Sequence, residues 1–99
     1  MNARSIWLPV ALSWSVVAGA ADALKGADLY RSHCSQCHGN DGRPVLPTAP
    51  DFSRPTALLK SDLTLLASIR AGRGGMPAYQ GQLRDREILD IVAHLRNPR

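Results

Sequence analysis

The sequence predicts a small all-α fold of three main helices with loops wrapped between them. Three observations predict it. Apolar residues recur at helical spacing in three separate stretches, near residues 23–33, 61–71 and 85–97. Pro44, Pro47, Pro50 and Pro55 break up residues 39–55, which can be neither a helix nor an ordinary sheet strand. No β-rich run precedes the two cysteines.

The first helix is expected over Ala23–His33, capped by Asp22, with Ala23, Leu24, Ala27 and Tyr30 as its apolar positions. The segment from Gly39 to Pro55 reads as an ordered loop, and Thr56 to Leu59 as one short helical turn. Ser61 or Asp62 begins the second main helix, which runs to Ala71, with Leu63, Leu66 and either Ile69 or Leu65 facing inward. Gly72 stops it. The last helix is expected over Asp85–Asn97, where Ile88, Ile91, Val92 and Leu95 fall at i, i+3, i+4 and i+7, and Pro98 ends it.

At 99 residues and 10.7 kDa there is room for one domain. Twelve Lys and Arg against eight Asp and Glu give a net charge of +4 and a pI near 9.7. The basic residues are dispersed, with no stripe that would follow phosphates, so a nucleic-acid partner is not expected. No Walker sequence, Gly-x-Ser-x-Gly elbow or His-Glu-x-x-His occurs, which removes several enzyme classes.

Residues 1–20 have the layout of a secretory signal peptide. Arg4 supplies the positive start, Ile6–Val17 an apolar stretch interrupted by Pro9, Ser13 and Ser15, and Ala18-Gly19-Ala20 the small residues at the cut. Ala21-Asp22-Ala23 offers a second cut as late as residue 23. Residues 21–99 are then the working domain, exported to the bacterial periplasm and without stable membrane insertion once the leader is removed. Processing discards Trp7 and Trp14 and leaves Tyr30, Phe52 and Tyr79 as the aromatics. So small a domain has a marginal core and needs a staple.

Cys34-Ser35-Gln36-Cys37-His38 is a C-x-x-C-H sequence, the attachment pattern of a c-type haem. Two thiols three positions apart can add across the vinyl groups on one porphyrin edge, and the next residue, His38, then stands beneath the iron. A thioredoxin-like dithiol would follow a strand, which is not expected here. A zinc site needs four ligands, and the spacing of His33 and His94 completes no finger or ribbon. Met76, within Gly74-Gly75-Met76-Pro77-Ala78-Tyr79, is the only methionine besides Met1 and the candidate second axial ligand. The glycines permit close backbone approach and Pro77 stiffens the loop.

With CSQCH and GRGGMPAY in this order and spacing, the chain resembles a class I c-type cytochrome, the small monohaem kind, from about Leu24 to Arg96. A four-helix-bundle cytochrome would carry its haem motif near the C-terminus. The resemblance implies a small cytochrome c fold wrapped around one haem c, attached through Cys34 and Cys37, with His38 and Met76 on the iron. It also implies Pro50, Phe52 and Tyr79 as cofactor-binding residues. A proline carbonyl, that of Pro50 with Pro47 as competitor, would accept from His38 Nδ1–H, and Phe52 would pack on the haem. A glycine on the first helix would meet an aromatic on the last. Gly26 and Tyr30 fit the first half, but His94 stands at the aromatic position, a departure that implies a more polar contact. Arg84 stands where a capping Ser or Thr is usual, which points to a helix start at Asp85. His33 is read as a surface residue.

The implied function is a soluble periplasmic carrier that shuttles one electron between redox partners, meeting them transiently at the haem edge near Cys37. It is not an enzyme. Arg70, Arg73 and Lys25 are candidates for the docking rim, set against a structural or simply solvated role. An alternative is a dedicated haem subunit or donor of one periplasmic reductase or dehydrogenase, a nitrite reductase for example. A haem sensor or peroxidase-like protein with an open iron position is a third.

Overall fold

The computed structural model describes residues 20–98 and residue 9. The leader expected over residues 1–20 therefore falls almost wholly outside the described residues. Among these, four α-helices and one 3-10 turn occur in the order α1 (Ala23–His33), α2 (Ser35–His38), a 3-10 turn (Pro55–Leu58), α3 (Asp62–Ala71) and α4 (Asp85–Arg96). No strand occurs among them, and none of their helices is long and apolar enough to cross a membrane.

Local chemistry explains each boundary. The Asp22 side chain accepts from the backbone N–H groups of Leu24 (3.0 Å) and Lys25 (3.1 Å), satisfying donors that open α1. The Ser61 hydroxyl accepts from Thr64 N–H and caps α3, so that helix starts at Asp62. Arg84 carries no acceptor; instead Glu87 reaches back and takes the Arg84 N–H at 2.9 Å, half of a reciprocal cap. Asn97 lies just outside α4, one residue short of the expected end, and its N–H bonds the carbonyls of Ala93 and His94. The 3-10 turn begins at Pro55, one residue earlier than expected, because proline's fixed φ suits a first helical position.

The core lies where α1 crosses α4. Ile88, Ile91 and Val92 are fully buried, with Tyr30, Tyr79, Leu83 and Leu95 nearly so. At the crossing the two backbones touch: a Cβ on Gly26 would lie 1.8 Å from the carbonyl oxygen of Asp90. The departure at residue 94 is absorbed in place, since the His94 ring packs against Tyr30 with centroids 5.2 Å apart and planes tilted by 51°. His94 is half-buried there.

One inward assignment, Leu63, is overturned, and one apolar position, Leu24, does not join the core. Leu24 is 78% exposed and Leu63 70% exposed. Leu24 lies on the face of α1 away from Gly26 and Tyr30. In α3 only Leu66 and Ile69 reach the core, with Leu65 half-buried, because that helix is covered on one side alone. A clasp that carried no sequence signal joins α3 to α4. Arg96 Nε donates to Asp62 Oδ1 (2.7 Å), while its two terminal nitrogens donate to the carbonyls of Leu58 (2.8 Å) and Lys60 (2.6 Å).

Candidate functional site

The C-x-x-C-H residues form a single helical turn continuous with α1. The N–H groups of Cys34 and His38 bond the carbonyls of Tyr30 (2.8 Å) and Cys34 (2.9 Å). Helical spacing brings Cys34 and Cys37 to one side, each half-buried and free of any disulfide. Burial, with the neighbouring Cys37, pushes the Cys34 thiol up to about 11. A redox dithiol needs the opposite shift, so this environment does not suit a thioredoxin-like nucleophile.

His38 is buried, and its ring stacks on Phe52 at 4.8 Å with 22° between planes. Burial holds its pKa below the usual histidine value, which favours the neutral imidazole that a metal requires. Its Nδ1 is buried without a hydrogen-bond partner. The carbonyls of Pro50 and Pro47 therefore do not accept from it, and Pro50 lies exposed. The loop is pinned elsewhere: Phe52 N–H bonds the carbonyl of Gly42, and the N–H groups of Val45 and Leu46 both bond that of Cys37. This pinning, rather than a proline contact on the ring, carries Phe52 onto His38.

Met76 sits on a tight turn. Arg73 and Met76 exchange backbone hydrogen bonds of 3.1 and 2.9 Å, with Gly74 and Gly75 at the corner. Within the protein, the close approach in this loop is made by Gly72. At φ +72°, a Cβ on Gly72 would lie 2.7 Å from both Ala78 N and the Met76 carbonyl oxygen. Beyond the turn, Tyr79 N–H bonds the Ile69 carbonyl and Gln80 N–H that of Arg70, folding the loop back on α3.

Tyr79 then ties the two motifs together. It is buried, and its hydroxyl donates to the His33 carbonyl at 2.7 Å, just before Cys34. Cys34, Phe52 and Met76 pack against the same core cluster that contains Tyr79. The structure thus packs Cys34 and Met76 against one core, and His38 against Phe52 of the same core. The donor set fits a haem c: two thiols, a neutral imidazole and a soft thioether. Val45 and Leu46 add exposed aliphatic surface on backbone anchored to Cys37.

Residues 21–95 match the family described as cytochrome c oxidase, cbb3-type, subunit III. The chain belongs to the class I c-type cytochromes. It is 28% identical over 95 residues to cytochrome c6 of Thermosynechococcus vestitus, covering 92% of this chain and 83% of that protein. It is also similar to the cytochrome c subunit of a quinone alcohol dehydrogenase of Gluconobacter oxydans, 30% identical over 83 residues, with 72% of this chain but 17% of that protein covered. Among solved structures the KustC0563 c-type cytochrome superposes with a TM-score of 0.66 at 28% identity, covering 72% of this chain and 93% of its own. The small cytochrome c fold, one covalent haem c and single-haem electron transfer go with this membership.

The expected rim residues part company. Arg70 pairs with Asp85, its Nε 3.4 Å from Oδ1. Arg73 and Lys25 are exposed, and so is His33.

Proposed function

We propose that this cytochrome is exported, loses residues 1–20 and works in the periplasm as a carrier passing one electron at a time between protein partners. Cys34 and Cys37 would attach the haem, and His38 and Met76 would ligate its iron. Phe52 and Tyr79 complete the surround. The observation that carries this reading is the Tyr79 hydroxyl on the His33 carbonyl, which holds the methionine loop to the segment that opens the cysteine motif.

The bound haem supplies an iron that alternates between ferric and ferrous states. The chain's part is to hold still. Burial and the Phe52 stack orient the His38 ring, and the Arg73–Met76 turn, buttressed by Gly72, presents the thioether. With both His38 and Met76 on the iron, no position would be open to substrate, which accords with a carrier rather than an enzyme. Arg73 and Lys25 offer positive charge for brief, steered encounters with an acidic partner face. Arg70 is committed to Asp85 and contributes less to such a rim.

The similarity to a dehydrogenase cytochrome subunit, with the description of the matching family, favours a second reading as the dedicated haem module of one enzyme. Stoichiometric co-purification with a single enzyme separates it from the free carrier. The central test is a reduced-minus-oxidised spectrum of the exported protein. A c-type spectrum with the weak sulfur–iron band is expected, with no rapid binding of CO by the ferrous form. Rapid CO binding would overturn the methionine ligation and with it the carrier.

A further inference from the structure

Three peptide bonds meet the small-residue rule for leader removal, those after Ala20, after Ala21 and after Ala23. The structure sets the last of them apart, because Asp22 is not part of a passive tail. Asp22 makes contacts in three directions. Its carboxylate takes the N–H groups of Leu24 and Lys25, and its carbonyl takes the Gly26 N–H at 2.9 Å. Its own N–H donates to Asp90 Oδ1 at 2.7 Å, across the chain to α4. Asp90 is only 2% exposed, and its backbone is the surface on which Gly26 rests.

We infer that the leader is cut on the N-terminal side of Asp22, and that the segment this spares forms a clasp, Asp22 on Asp90, closing the α1–α4 crossing. This rests on the export reading above. A cut after Ala23 would remove the cap of α1 and the Asp90 donor together. It would leave a buried carboxylate oxygen unmatched. It would also put the new α-ammonium on Leu24, at the end of α1 where the helix dipole is already positive. A cut after Ala20 keeps the Asp22 carboxylate at that end and places the ammonium on Ala21, one residue from the N–H that faces Asp90.

Intact mass and N-terminal sequencing of the haem-loaded protein from the periplasm test the cut. Ala21 or Asp22 as first residue is expected. Leu24 as first residue overturns this inference while leaving export intact. Met1 as first residue overturns the export reading, and this one with it. The clasp is tested by comparing mature forms beginning at Ala21 and at Leu24, each made behind a foreign leader. The Leu24 form should unfold at clearly lower denaturant, with the haem spectrum unchanged. Asp90→Asn should shrink the difference between the two forms. Equal midpoints for the two forms would overturn the clasp.

Discussion

Gly26 is the point at which α1 and α4 meet backbone to backbone, so any side chain there must push the helices apart. Gly26→Ala would drive its Cβ into the Asp90 carbonyl, 1.8 Å away, with no flexible atom to yield. The expected cost is about 1–3 kcal/mol, the usual range for overpacking, read as a lower denaturation midpoint. Met76 acts at the same scale by different physics. It is the only methionine beyond Met1, so no neighbouring thioether can replace it. Met76→Ala should abolish the sulfur–iron band, lower the midpoint potential and let the ferrous protein bind CO. An unchanged spectrum would identify another ligand. The cysteines and His38 were marked as candidates by their motif, because attachment chemistry constrains neighbours in sequence, and Met76 by its Gly-Gly-Met-Pro setting. The Pro50 contact was not legible, because a carbonyl's aim depends on the whole loop, and this loop is pinned through Cys37 and Gly42 instead.

Helices α1 and α4 were readable almost to the residue, α1 from its Asp22 cap and α4 from its apolar stripe. Helix α3 was read less well. Its leucines offer several faces, and only the position of its neighbour on one side decides that Leu66 and Ile69 are covered while Leu63 is not. The neighbour is held by Arg96, whose planar fork spans Asp62 and the carbonyls of Leu58 and Lys60. A lysine carries the charge but not the fork. Arg96→Lys should therefore destabilise the protein by about 1–2 kcal/mol in chemical denaturation, on the scale of charge-assisted hydrogen bonds at a partly exposed site. Arg96→Ala should be no better. Nothing local in the sequence marks this arginine, because its partners lie more than thirty residues away.

At the scale of the whole molecule, the core is small and its stability should depend on pH through His94. Burial, and then the nearby Arg31, hold the His94 pKa below the ordinary 6.5. The unfolded chain thus takes up a proton at a pH where the folded one resists it. Stability rises with pH wherever the unfolded state binds more protons. The His94 contribution is present above pH 6.5 and is lost as pH falls through that value toward the lower folded-state pKa. His94→Phe keeps a ring against Tyr30 and cannot titrate. Denaturation midpoints between pH 5 and 7.5 should therefore fall less steeply on acidification in His94→Phe than in the unaltered protein. Equal slopes would mean that His94 is not the titrating group.

Composition, helical periodicity and two short motifs determined by themselves the all-α class, the three main helices, the covalent haem and its candidate ligands. The helical stripes and the CSQCH motif rest on residues close in sequence, where chain geometry sets the distances, and Met76 was singled out by its own short motif. The tertiary structure alone decided that Tyr79 fastens the methionine loop to His33, that Arg96 clamps α3, that Arg70 is spent on Asp85, and that Asp22 reaches Asp90. Those contacts join residues 15 to 68 positions apart. Such pairings exist only after the helices have packed, because packing rather than chain order brings the partners within hydrogen-bonding reach.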